Sequence, residues 1–169
     1  MNSAPSAAKM AARTLLLVGA ATFAATLPAT ADTDHPVRYL HLQNDGSYVI
    51  SDIELKWITP DGDRKSNTFT SDLENARGFC LDLEKFGDVP DGSEVWLKAY
   101  IAAGDNESCR KDNPRIYTAG LPSKSQTYTQ FYKMGGQTLT NNMCKLSSGT
   151  EGKAELSDNI GNSTECPSY

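Results

Sequence analysis

Between residues 37 and 146, hydrophobic and polar side chains alternate in short runs, the period of two that sends one face of a β-strand to a core and the other outward. Residues 37–42 form a first candidate strand, and residues 48–59 a second in which Ile53, Leu55 and Trp57 share a face, with Asp45-Gly46 between the two. Pro60-Asp61-Gly62-Asp63 reads as a tight turn into residues 64–69, because proline presets φ at the first central position and glycine accepts a positive φ. In residues 79–84, Phe79, Leu81 and Leu83 point inward, Cys80 lies opposite, and Asp82 and Glu84 take the solvent side. After a turn at Val89-Pro90-Asp91-Gly92 comes the clearest strand, residues 94–103. Val95, Leu97, Ala99 and Ile101 make one of its rows, and Trp96, Lys98 and Tyr100 make the other. A short strand near Tyr117 precedes a closing hairpin of residues 126–134 and 137–146, with Gly135-Gly136 at its bend.

One segment breaks the pattern. Ser71-Asp72-Leu73-Glu74 has the form of a capping box, in which the serine oxygen accepts an orphan amide and the glutamate reaches back, while Gly78 limits the run to about two turns. The expectation is an all-β, mainly antiparallel fold: a single sandwich or barrel-like domain of about seven or eight short strands, one short connecting helix and two disulfides.

Residues 1–31 stand apart from this alternation. Lys9 and Arg13 precede an apolar, alanine-rich stretch from Thr14 to Leu27, and Ala29-Thr30-Ala31 offers small residues for cleavage, the order of a secretory signal peptide. The stretch is shorter than the roughly 20 apolar residues needed to cross a bilayer as a helix, so no transmembrane anchor is expected. The reading is a signal over 1–31 with cleavage after Ala31, a domain over 32–146 and an extended tail over 147–169, in a protein secreted or delivered to a periplasm. Cleavage would remove two of the 16 basic residues and none of the 21 acidic ones, moving the net charge from −5 to −7. A field of that sign disfavours nucleic acid as a partner.

Export changes the meaning of the cysteines. Cys80, Cys109, Cys144 and Cys166 all follow the signal, and an even number in an oxidising compartment predicts two disulfides. Zinc knuckles use close pairs, and no two of these cysteines are close in sequence. Three pairings are open and spacing does not choose between them. Cys109 with Cys144 and Cys80 with Cys166 is the working expectation, the second holding the tail and the first tying down the long polar loop of residues 104–114.

Candidate chemistry is sparse. A serine or cysteine hydrolase needs a positioned base. His35 lies near the chain start and His41 on the first strand, and no G-x-S-x-G elbow accompanies them. The acid pairs Asp61/Asp63, Asp82/Glu84 and Asp91/Glu94 could in principle cut a glycosidic bond, yet Asp61 and Asp91 occupy turn positions before glycine. Asp61 and Asp63 also suggest calcium, but without EF-hand spacing. No catalytic residue, metal or cofactor is therefore assigned.

The main binding signal is the row Trp96, Lys98 and Tyr100, two aromatic rings with a cation between them on one strand face, suited to a sugar ring or a protein surface. Tyr128 and Tyr132, opposite Phe131 in strand parity, could extend it or fill the core. These features predict a non-catalytic secreted module that binds a protein, glycan or envelope component through a sheet face or the 104–114 loop. The alternatives are a small secreted hydrolase using carboxylates or His41, and a membrane-active β-rich toxin. Asn106-Glu107-Ser108 and Asn162-Ser163-Thr164 match glycosylation acceptors, relevant in a eukaryotic host.

Overall fold

The computed structural model describes residues 35–147, which lie within one compact unit. In chain order these residues form β1 (His35–Val37), β2 (Tyr39–Asn44), β3 (Ile50–Ile58), β4 (Arg64–Leu73), β5 (Arg77–Asp82), α1 (Leu83–Phe86), β6 (Glu94–Ile101), β7 (Glu107–Ser108), β8 (Arg115–Tyr117), a 3-10 turn (Gln126–Tyr128), β9 (Thr129–Gln137) and β10 (Thr140–Ser147). Two sheets result. The first runs β1-β8-β6-β3-β4 with β7 added beside β6, and the second runs β10-β9-β2-β5. All but two of the pairings are antiparallel, the exceptions being β1 with β8 and β2 with β9.

The all-β expectation is thus met, with more strands among the described residues than the alternation predicted. The short strand expected near Tyr117 is β8, and the extra ones, β1 and β7, are three and two residues long and too short to show a period. The core lies between the sheets. Ile53, Leu55, Val95 and Leu97 of the first meet Leu40, Leu42, Phe79, Leu81 and Tyr132 of the second.

The predicted helix is misplaced. Residues 71–73 continue β4, and the Ser71 hydroxyl donates to the Ile50 carbonyl at 2.9 Å, so pairing with β3 overrides the local capping signal. A helix does form at Leu83–Phe86. There the Asp82 carboxylate accepts from the Glu84 amide at 3.1 Å, and Gly87 closes the end at φ 80°, a left-handed conformation that glycine adopts without steric cost.

Asp82 and Glu84 accordingly do not form a solvent face. Asp82 is wholly buried and holds Arg38 through two hydrogen bonds of 3.0 and 3.1 Å. Arg38 is the residue at which the chain crosses from the first sheet (β1) to the second (β2), so this ion pair fixes the switch. The two acids face different elements because the strand ends between them. The Glu84 carboxylate accepts from the Tyr117 hydroxyl and the Gly120 amide.

The turns at Gly62 and Gly92 form as predicted, with φ 91° and 80°. At the last hairpin the bend falls at residues 138–139, three residues beyond the expected one. Gly135 and Gly136 remain inside β9, and Gly136 at φ 116° sits opposite the β10 irregularity between Thr140 and Met143. The 104–114 loop is tied as expected: Cys109, just after β7, is bonded to Cys144 on β10 across a Cα separation of 5.2 Å, linking the two sheets at one edge. Cys80 is also disulfide-bonded. Its expected partner Cys166, like the signal segment and Asn162, lies outside the described residues.

Candidate functional site

Strand register decides what surrounds the aromatic row. Trp96, Lys98 and Tyr100 project from β6 on the outer face of the first sheet, and the antiparallel pairing with β3 sets Lys56 beside Trp96, Glu54 beside Lys98 and Asp52 beside Tyr100. On the far side of β3, β4 sets Ser66 beside Lys56 and Thr68 beside Glu54. The outer face is therefore a continuous polar and aromatic layer four strands wide, completed by Ser108 of β7 next to Lys98.

Within it the groups hold one another. The Tyr100 hydroxyl donates to Glu54 at 2.7 Å, and Lys56 reaches the other oxygen of the same carboxylate at 3.2 Å. Burial pushes the Glu54 carboxyl towards its neutral form, but hydrogen bonds from Tyr100, Ser66 and Lys56 prevail and hold its pKa below the ordinary value. The Lys98 ammonium stands 4.6 Å from the centre of the Tyr100 ring. Arg110 forms a bidentate pair with Glu94, both contacts 2.7 Å, while its guanidinium lies 4.8 Å over the Trp96 ring. The hydrogen bond to Glu94 raises the Arg110 pKa. Trp96 is consequently only 7% exposed, with Lys98 and Tyr100 half-buried.

Next to Trp96 opens a depression of about 220 Å³, bordered by Lys56, Trp57, Arg64, Lys65 and Ser66. Three cations and no carboxylate border it, on a chain whose net charge is −5. On the other side of Trp96, between Arg110 and Arg115, a second recess of about 10 Å³ has room for about one water. The Lys98 ammonium above the Tyr100 ring remains available to an anion from the solvent side, whereas the charge of Arg110 is offset by its bidentate pair with Glu94.

Glu54, Lys56, Arg64 and Arg110 complete the site, and sequence reasoning passed over them, while Glu94, there a candidate catalytic acid, is the partner of Arg110. For Glu54 and Lys56 the signal existed, because they have the opposite parity to Ile53, Leu55 and Trp57. Placing them beside Trp96 required the β3–β6 register. Arg110 carries no such signal. It follows Cys109, and the two-residue pairing of β7 with β6, continued by the Cys109 amide donating to the Leu97 carbonyl at 2.8 Å, sets its loop against β6.

The other candidates have structural employment. His41 is 3% exposed on the outer face of the second sheet, edge-on to Phe131 with ring centres 5.5 Å apart, and burial lowers its pKa to about 4. It is a neutral imidazole at neutral pH. Asp91 accepts from the Ala119 amide at 2.8 Å. Asp63 contributes backbone to the turn, its amide donating to the Thr59 hydroxyl. Tyr132 fills the core, Phe131 points to the opposite face, and Tyr128 belongs to the 3-10 turn. Among the described residues no three His, Cys, Asp or Glu side chains cluster as metal ligands, and no helix is long and apolar enough to cross a membrane.

No protein-family model and no curated protein matches the chain. Solved structures similar to it include pneumolysin, at 11% identity over 64% of this chain and 23% of that one with a TM-score of 0.32. A disulfide-locked intermedilysin mutant with human CD59 is similar at 16% identity, 64% and 23% coverage and a TM-score of 0.30. Listeriolysin O gives 9% identity, 64% and 22% coverage and a TM-score of 0.27. The chain spans less than a quarter of each of these structures. Likenesses at this level carry no argument about fold or activity, and the functional reading rests on the site alone.

Proposed function

We propose that the chain is a non-catalytic binding module, working outside the cytoplasm, whose ligand is an acidic glycan held on the outer face of the first sheet. The observation that carries this reading is the cationic depression beside Trp96, lined by Lys56, Arg64 and Lys65. Trp96, 7% exposed under the Arg110 guanidinium, walls the depression and leaves recognition to the cations. Cations around it select carboxylate or sulfate substituents, and on an acidic molecule a local basic patch directs such a ligand to one place.

Lys98 extends the positive rim along β6, braced on the Tyr100 ring. Trp96 borders the depression, and Arg64 and Lys65 at the β3–β4 hairpin are exposed, so an anion reaches them without desolvating a buried group, at the cost of ordering two long side chains. Binding would be weakened by salt, because exposed charges are screened over about 10 Å at 0.1 M ionic strength.

The test is retention of the purified chain on immobilised heparin and polygalacturonate, with neutral dextran as control. Retention on the acidic polymers alone, weakened at least ten-fold by Arg64→Ala with Lys65→Ala, supports the reading. Equal behaviour of the acidic and neutral polymers, or of variant and parent, removes it. Retention of a protein partner in place of either polymer would transfer the face to a different ligand class.

A further inference from the structure

Between β1 and β8 of the first sheet and the start of β9 in the second, a cleft of about 230 Å³ opens, bordered by His35, Pro36, Arg115, Thr127, Tyr128 and Gln130. Register explains why these groups converge. His35 pairs with Arg115, and each stands two residues before a core residue, Val37 and Tyr117, so both side chains turn towards the second sheet. Gln130 stands two residues before the core residue Tyr132 and points back at the first. The Arg115 Nε donates to the Gln130 amide oxygen across the gap, and one Nη donates to the Asn113 carbonyl at 3.1 Å. The 3-10 turn that carries Thr127 and Tyr128 is held in place by the Arg38 amide, which donates to the Tyr128 carbonyl at 2.8 Å.

Arg115 differs from the other positioned arginines in what holds it. Arg38 and Arg110 each lie against a carboxylate, Asp82 and Glu94. Half-buried Arg115 is held by a neutral amide and a backbone carbonyl and joins no ion pair among the described residues. No aspartate or glutamate among the described residues borders the cleft. Two of the five N–H donors of a guanidinium are engaged, which leaves three, and Thr127 and Tyr128, each with a hydroxyl, border the same space. A cation positioned without a counter-charge is a receptor for an anion, which gains a charge-assisted hydrogen bond from a side chain whose ordering is already complete.

We infer that this cleft binds a small organic acid through its carboxylate, at a second site separate from the outer face of the first sheet. One guanidinium brings one positive charge, which matches a monoanion. Pro36 and the Tyr128 ring offer carbon surface to the rest of the ligand, so the acid carries an apolar or aromatic body in place of the hydroxyls of a sugar. The volume equals roughly eight waters at about 30 Å³ each, room for a single ring and its carboxylate. The inference stands whether or not the outer face binds a glycan.

A ¹⁵N amide titration of the exported chain with benzoate tests it, with benzyl alcohol as the uncharged isostere and galacturonate as the hydroxylated acid. Benzoate should shift the amides of Arg115, Thr129 and Gln130 and saturate by about 10 mM, ten times the millimolar dissociation constant expected of so few atoms. It should bind at least ten-fold more tightly than either control, and Arg115→Met should weaken it at least ten-fold. Thr127 is exposed, so Thr127→Glu keeps the fold while setting at the rim a carboxylate that competes for Arg115. That variant should weaken benzoate as strongly, and it decides the matter if Arg115→Met does not fold. Equal binding of benzyl alcohol or of galacturonate, or unchanged affinity in Thr127→Glu, overturns the inference. So do the absence of any shift with benzoate and shifts centred on Arg64 to Ser66, the latter because they place the acid on the outer face of the first sheet. Failure of the chain to stay on heparin or polygalacturonate removes the glycan reading and leaves this one standing.

Discussion

His41 offers the sharpest energetic prediction, because its burial can be read as a pH dependence. In the folded chain the imidazole sits under 3% exposure beside Phe131, with a pKa lowered by burial to about 4; in the unfolded chain it titrates near 6.5. Between these values the unfolded state binds a proton that the folded state refuses, so stability falls as pH falls. The effect is absent above about pH 6.5, has a slope of about 1.4 kcal/mol per pH unit through the window, and saturates below about pH 4.

Between pH 7.5 and 4.5 the loss attributable to His41 is about 2.5 kcal/mol. His41→Leu removes the titration at similar volume. Urea unfolding of parent and variant at pH 7.5, 6.5, 5.5 and 4.5 isolates the residue, since carboxylates titrate in both and cancel in the difference. The parent should lose about 2.5 kcal/mol relative to the variant over that range, at an unchanged denaturant slope. Parallel profiles would mean that the imidazole accepts a proton in place, and the reasoning from burial would be wrong.

Three further outcomes are expected. Arg38→Met leaves the Asp82 carboxylate buried without its bidentate partner and should cost about 3–5 kcal/mol by chemical denaturation. Replacing Cys109→Ala and Cys144→Ala together opens a loop with a sequence separation of 35, and chain entropy gives a loss of about 4 kcal/mol in the same assay. Tyr100→Phe removes the hydroxyl that donates to Glu54 and should raise the Glu54 pKa, seen by carboxyl carbon NMR. Because a depressed carboxylate pKa stabilises the fold only above the unfolded value, that variant should lose about 1 kcal/mol at pH 7 and converge with the parent as pH falls through the carboxylate range.

The fold was legible where period and long-range pairing agree. The rows Ile53, Leu55, Trp57 and Val95, Leu97, Ala99, Ile101 alternate cleanly and are the centre of the first sheet. It was illegible where a local signal met a stronger distant one: Ser71 has the chemistry of a helix cap, but its hydroxyl is taken by the Ile50 carbonyl of the neighbouring strand. Asp82 shows the reverse. Alternation gave it a solvent position, whereas the strand ends there and the side chain turns in to cap α1 and hold Arg38.

For the binding face, parity assigned Trp96, Lys98 and Tyr100 to one side of β6. It said nothing of Lys56 and Glu54 beside them, because register depends on pairing that no short window contains. Arg110 reached Trp96 through the pairing of β7 beside β6, which at two residues is too short to show a period. The candidate acids Asp61 and Asp91 were legible as turn residues from their glycine neighbours, and the Asp91 carboxylate accepts from the Ala119 amide.

The most direct test of the ligand face is a ¹⁵N amide titration of the exported chain with a short oligogalacturonate. Shifts should concentrate at Lys56 on β3, Arg64 to Ser66 on β4 and Trp96 to Tyr100 on β6, leaving the β5 and β9 amides of the second sheet in place. Shifts centred elsewhere, or none at saturating oligosaccharide, would contradict the assignment of that face as an acidic-glycan site.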